Sequence, residues 1–273
     1  MDNKKYSNIK KLIAGGCSFT AGDELKDFHH RQTVGIIRPR SNSTWVNCLQ
    51  QNLFPNATID NTGISGSSFS GITRRVIFQT RRALKIFDPK EIIVLVMWTS
   101  IIRREFVTIY PPSKTVSDDE DHFLTTLPSD GDGVTRGPNR DFMIKRRQKL
   151  TDERLNRTVV EFYARRATPD NHLYEPLKEL EYLMSWLTAN KIKFFFTTAF
   201  SDLISVEPHP ENIFFRDQIS RLNIEENIFF NNKMGFHEWA KDNDYPCGER
   251  ADHPLEQAHI DWAKDMQKWI LTK

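Results

Sequence analysis

The chain has 273 residues, enough to bury one sizeable core, and its 38% apolar and 27% charged residues are ordinary for a soluble globular protein. Its 38 basic and 36 acidic side chains leave a formal charge of +2, without the basic excess of a dedicated nucleic-acid binder. The three cysteines, Cys17, Cys48 and Cys247, are odd in number with no paired short spacing, so they read as reduced thiols and not as a disulfide framework.

The opening MDNKKYSNIKKLIAGG has lysines but only a short apolar stretch before two glycines, so no signal peptide is expected. No segment reaches the roughly 18 apolar residues of a membrane span, and a cytoplasmic location is expected. A short strand over Lys11 to Ala14 runs into Gly15-Gly16. A helix is predicted over Thr44 to Leu53 and a second strand near Thr58 to Asp60. From Ser67 to Phe87, apolar residues at Phe69, Ile72, Val76, Ala83 and Phe87 mark one helical face. Arg74, Arg75, Arg81 and Arg82 lie off that face and read as a solvated stripe.

Ile92 to Met97 is a continuous apolar run, as in a strand buried on both faces of a parallel sheet. Pro111 to Arg140 is rich in Pro, Gly, Ser and Asp without a period, and is expected to be a loop insertion (about 108–150) overhanging the site. Leu173, Leu177, Leu180, Met184 and Leu187 give an amphipathic helix, and Lys193 to Phe200 another buried strand. Leu255, Trp262, Ala263, Met266 and Ile270 face one side of a closing helix. Strands alternating with helices, with no repeat or linker, predict one α/β domain with a parallel sheet covered on both sides.

Three segments carry candidate chemistry. Gly15-Gly16-Cys17-Ser18-Phe19-Thr20 falls where the first strand ends, the place where parallel sheets bind ligands. A serine opening the next helix would sit near free backbone N–H groups and the positive end of the dipole, although serine also caps helices routinely. Asn61-Thr62-Gly63-Ile64-Ser65-Gly66 follows the second strand, where a glycine N–H could face an oxyanion or simply make a turn. Arg250-Ala251-Asp252-His253-Pro254 precedes the last helix, and histidine is the usual base for a serine nucleophile.

Together and in this order, GCSFTAG, NTGISG and DHPLEQAH resemble the serine, glycine and histidine blocks of the SGNH (GDSL-like) hydrolase family. The resemblance implies a three-layer α/β/α fold around a mostly parallel five-stranded sheet of flavodoxin-like type. It also implies Ser18 as nucleophile, His253 as general base, and the backbone N–H groups of Ser18 and Gly66 as oxyanion donors. Two departures stand out. Met97-Trp98-Thr99-Ser100 replaces the family's Gly-x-Asn, leaving Thr99 or Ser100 as the candidate side-chain donor. This variant resembles a divergent branch of phage- and marine-bacterium-encoded members, which would allow a virion location. The family's acid position, three residues before the histidine, holds Arg250. Asp252 is then the preferred acid, with Glu249 or a Ser–His dyad as alternatives.

The implied activity is hydrolysis of an acyl ester, with a small acyl ester or an acylated glycan as partner and carbohydrate O-deacetylation as one form. The rival reading is a non-catalytic structural or binding protein that retains the scaffold, such as an assembly component. No cofactor or metal is expected. His29-His30 with Asp23 and Glu24 lack a second matching ligand pair, and the acidic runs at Asp118–His122 and Asp130–Asp132 lack the full calcium-loop pattern. Cys17 is expected to pack inward, and His259 to be a satisfied structural histidine.

Overall fold

The computed structural model describes residues 3–28, 40–107, 123–126, 169–205 and 212–273. In chain order these form β1 (Lys11–Gly15), α1 (Ser18–Ala21), α2 (Trp45–Leu53), β2 (Thr58–Asn61), α3 (Phe69–Ala83), β3 (Ile92–Trp98), β4 (Arg104–Val107) and β5 (Phe123–Thr126). Then follow α4 (Pro169–Ala189), β6 (Lys193–Thr198), α5 (Asp202–Ser205), α6 (Ile213–Leu222), α7 (Ile224–Asn227), β7 (Ile228–Phe229), α8 (Phe236–Asp242) and α9 (Glu256–Thr272).

Five strands form one all-parallel sheet in the order β2-β1-β3-β6-β7. Alternation along its buried strands sorts side chains between two cores, because successive residues point to opposite faces. Ile93, Leu95 and Met97 of β3 join Leu12 and Ala14 under α2, α8 and α9. Ile92, Val94, Val96 and Trp98 join Ile13 under α3, α4 and α6. The helical face predicted at Phe69, Ile72, Val76 and Ala83 is buried as expected, and Ser68 caps α3 by accepting the Gly71 N–H at 3.1 Å. The result is the three-layer α/β/α fold with a five-stranded sheet that the SGNH resemblance implied.

Among the sheet's own strands, the order along the chain is 2-1-3-4-5, the flavodoxin-like winding, whose direction reverses between β1 and β3. At such a reversal the crossovers leave on opposite faces and open a crevice at the strands' carboxyl ends. Ser18 lies just beyond β1 and Thr99 just beyond β3, so both stand at its mouth.

The expected insertion at about 108–150 lies outside the described residues except for Phe123–Thr126. Those four residues are a strand, not loop: FLTT pairs antiparallel with REFV of β4 as a separate two-stranded ribbon. Both stretches hold β-branched and aromatic residues, which suit strands locally and were obscured by the polar sequence around them. Whether the insertion overhangs the site, and where His29 and His30 and the acidic runs at Asp118–His122 and Asp130–Asp132 lie, also fall outside the described residues. Among the described residues, no helix is long and apolar enough to cross a membrane.

Candidate active site

The Gly15-Gly16 turn ends β1 under tight constraint. A Cβ on Gly16 would lie 2.0 Å from Thr20 Oγ1, so only glycine lets the chain fold back into α1 here. Cys17, fully buried, takes the N-cap position, and its side chain makes no capping bond. Ser18 is therefore the first residue of α1, and its hydroxyl is not spent as a cap. α1 is only four residues long, so the helix dipole anticipated there contributes little, while the Ser18 N–H donates to no described residue.

The second segment docks against the first. Asn61 Nδ2 donates to Thr20 O at 2.6 Å and its Oδ1 accepts the Gly63 N–H at 2.9 Å, while the Ile64 N–H reaches Gly16 O at 3.1 Å. Ser65 Oγ donates to Asp23, which ties the two segments together again. Gly66 adopts φ +79°, a left-handed conformation that favours glycine, and its N–H donates to no described residue.

Ser18 Oγ lies 2.8 Å from His253 Nε2, and His253 Nδ1 lies 2.7 Å from Glu24 Oε2. The His253 and Glu24 side chains are 12% and 8% exposed, so the relay is largely shielded from water. Phe19 holds the imidazole edge-on at 5.0 Å between ring centroids. Burial raises the Glu24 pKa, but N–H donors from Arg250 and His253 and the imidazole itself outweigh it and hold the carboxyl below its usual range. Glu24 is thus ionised at neutral pH and only accepts. Nδ1 must carry the proton, which leaves Nε2 free to accept the Ser18 hydroxyl proton. Burial also lowers the His253 pKa; the Glu24 bond and the Asp23 and Glu24 charges raise it without cancelling that effect, and Arg103 adds to the lowering. The imidazole is therefore neutral at pH 7.

The carboxylate at His253 differs from the one expected. Asp252, at φ +57°, turns away and pairs with Lys241 and with His237 Nε2 at 3.4 Å, so it cannot reach the imidazole of its own neighbour. Glu249 makes no bond to His253 either. Glu24 instead arrives from the turn after α1 and receives backbone N–H groups from Arg250 at 2.7 Å, Ala251 at 3.1 Å and His253 at 3.3 Å. These bonds offset the cost, roughly 1–3 kcal/mol, of holding Glu24 at φ +70°. Gly248 supplies the space, since a Cβ there would sit 2.5 Å from the Glu24 carboxyl carbon. Gly248→Ala should push Glu24 off the imidazole with the fold retained, read as a further lowered His253 pKa by NMR titration beside circular dichroism.

The third segment splits in two. Ser100 Oγ donates to Asp202 Oδ2 at 2.5 Å and is committed there, whereas buried Thr99 Oγ1 has no partner among the described residues. His259 is also accounted for. Its Nδ1 accepts the Trp45 N–H at 3.1 Å, and complete burial, with His253 nearby, drives its pKa down to about 3. Folding thus excludes a proton that the unfolded histidine takes up below about pH 6.5. Stability is full above 6.5 and falls as pH drops toward 3, by up to about 1.4 kcal/mol per pH unit. His259→Gln should flatten that slope in urea-denaturation midpoints measured across the window.

The fold is the α/β architecture that the SGNH resemblance implied, and it carries a Ser-His-Glu relay at the sheet's switch point. No protein-family model and no curated protein matches the sequence. Among solved structures, a lipolytic protein of the G-D-S-L family from Desulfitobacterium hafniense DCB-2 is similar at 12% identity and TM-score 0.44, over 95% of this chain and 99% of that one. A G-D-S-L lipolytic protein from Veillonella parvula DSM 2008 is similar at 13% identity and TM-score 0.41, covering 95% and 97%. A catalytic mutant of an acetylxylan esterase from Geobacillus stearothermophilus is similar at 14% identity and TM-score 0.43, covering 96% and 94%. At that distance the likenesses bear on neither the site residues nor the substrate.

Proposed function

We propose that the protein is a serine hydrolase of acyl esters, with Ser18 as nucleophile, His253 as general base and Glu24 as the acid that orients it. The observation that carries this reading is the continuous relay from Ser18 Oγ through His253 to Glu24, at 2.8 and 2.7 Å. Ser18 Oγ attacks the acyl carbonyl as its proton passes to His253 Nε2, and Glu24 stabilises the imidazolium that forms. The carbonyl electrons move onto oxygen, facing the N–H groups of Ser18 and Gly66 and the Thr99 hydroxyl. Collapse expels the alcohol, protonated by His253, and leaves an acyl-serine. Water, deprotonated by the same imidazole, then releases the acid.

Ser100 is left out of this arrangement because Asp202 holds its hydroxyl. The substrate class we propose is a small acyl group, such as acetyl, on an alcohol or a carbohydrate hydroxyl. Purified protein should hydrolyse nitrophenyl acetate faster than longer acyl esters and release acetate from acetylated xylo-oligosaccharides. Turnover of the model ester without acetate release from the glycan would keep the esterase and remove the carbohydrate. No turnover of either would count against hydrolysis itself.

A further inference from the structure

Thr99 and Ser100 follow β3 directly, and the β1–β3 register brings them level with the serine turn. Gly15 pairs with Val96, and Ser18 and Thr99 each follow three residues after that rung. The turn that carries Thr99 is held from the other side. Asp202, which opens α5 after β6, accepts both the Ser100 hydroxyl at 2.5 Å and the Ile101 N–H at 3.0 Å on one carboxylate oxygen. The last rung between those strands, Ala199 N–H to Trp98 O at 2.7 Å, ends just before this bridge. Asp202 therefore closes the gap where the sheet stops pairing.

A carboxylate in this place is costly. Burial pushes the Asp202 pKa up to about 6, against the lowering by its two donors, and Glu238 adds repulsion while Arg103 opposes it. Space-filling alone would be served better by an apolar residue. The same region leaves the Thr99 hydroxyl buried and without a partner among the described residues. Such a group is costly to bury unless something bonds to it, and a transient oxyanion would do so.

We infer that Asp202 is a positioning residue, which by gripping Ser100 and Ile101 fixes the turn so that Thr99 Oγ1 meets the oxyanion of the acyl-transfer transition state. This rests on the reading of Thr99 as the third donor. The bonds from Asp202 end one residue short of Thr99, so the carboxylate acts through backbone placement and touches no reacting atom. Because the interaction strengthens only as charge develops, its loss appears in kcat and not in KM.

The test is a kinetic comparison of Asp202→Ala, Asp202→Asn, Thr99→Val and the double variant Asp202→Ala/Thr99→Val on nitrophenyl acetate. Thr99→Val should lower kcat by about 10²-fold, the size typical of one lost oxyanion donor, with KM within about threefold. Asp202→Ala should lower kcat similarly, and the double variant should be no worse than the poorer single one. Asp202→Asn keeps an acceptor oxygen and should restore most of the turnover. Should the alanine variant not fold, Asp202→Asn/Ser100→Ala, which breaks one of the two grips, should still lower kcat with KM unchanged. Losses that multiply in the double variant, or a raised KM at unchanged kcat, would overturn the coupling while leaving Thr99 as donor. Parental turnover in Thr99→Val would remove the donor itself, and with it the inference, without touching the Ser18–His253 relay.

Discussion

Replacing Ser18 with alanine is expected to lower kcat on a short activated ester by roughly 10⁵–10⁶-fold, the scale seen when a serine nucleophile working in a unit is removed. Its hydroxyl is hydrogen-bonded to a neutral buried imidazole, and alanine would leave nothing there to acylate. His253→Ala should cost nearly as much, and the double variant little more, because the two residues act as one device. Folding should survive Ser18→Ala, since the side chain contributes one hydrogen bond and no capping bond. Unfolding free energies of parent and variant should agree within about 1 kcal/mol.

Glu24→Gln should lower kcat by up to about 10⁴-fold, the effect of an amide that leaves geometry intact but presents the wrong tautomer to the histidine. The pH profile adds a second reading. Burial sets the His253 pKa below 6.5, and the Glu24 bond and charge pull it part of the way back. Parent kcat/KM should therefore fall only below pH 6.5 as the base is protonated. Without the Glu24 charge the imidazole pKa drops further, so the residual activity of Glu24→Gln should have its acid limb at lower pH than the parent. Asp252→Asn provides the contrast. Its ion pair with Lys241 is half exposed on both sides, and such pairs contribute at most about 1 kcal/mol. Activity there should stay within roughly fivefold of the parent. A loss in Asp252→Asn comparable to that in Glu24→Gln would return the acid role to Asp252.

Much of this architecture was legible because periodicity records burial. The apolar run Ile92 to Met97 read as a strand covered on both faces, and the steps of α3 pointed to one buried side. β7 was not legible: two residues, Ile228 and Phe229, are too few to show a period, and neighbouring β6 defines them. At the site, Ser18 and His253 were legible because each sits where a strand or loop meets a helix in a recognisable block. Glu24 was not. It reaches the imidazole through a left-handed turn after α1, beginning at Gly22 (φ +84°), and through space freed at Gly248. Nothing in the spacing between residues 24 and 253 encodes that meeting. Asp252 looked right because it is adjacent to His253, but φ +57° turns its carboxylate toward α8. Glycine at position 248 was the one available signal, since a small residue close before a base leaves room for an approaching acid. Nothing in the sequence showed that Ser100 is committed to Asp202, about a hundred positions away.

Covalent labelling tests the central claim most directly. A fluorophosphonate reacts with a serine hydroxyl only where a base takes its proton and an oxyanion site receives the phosphoryl oxygen. Incubation of the purified protein, followed by peptide mass mapping, should place one adduct on Ser18, with labelling lost in His253→Ala and strongly slowed in Glu24→Gln. An adduct on another residue, or none at Ser18 in a folded protein, would contradict the account and leave the scaffold to a binding or structural role.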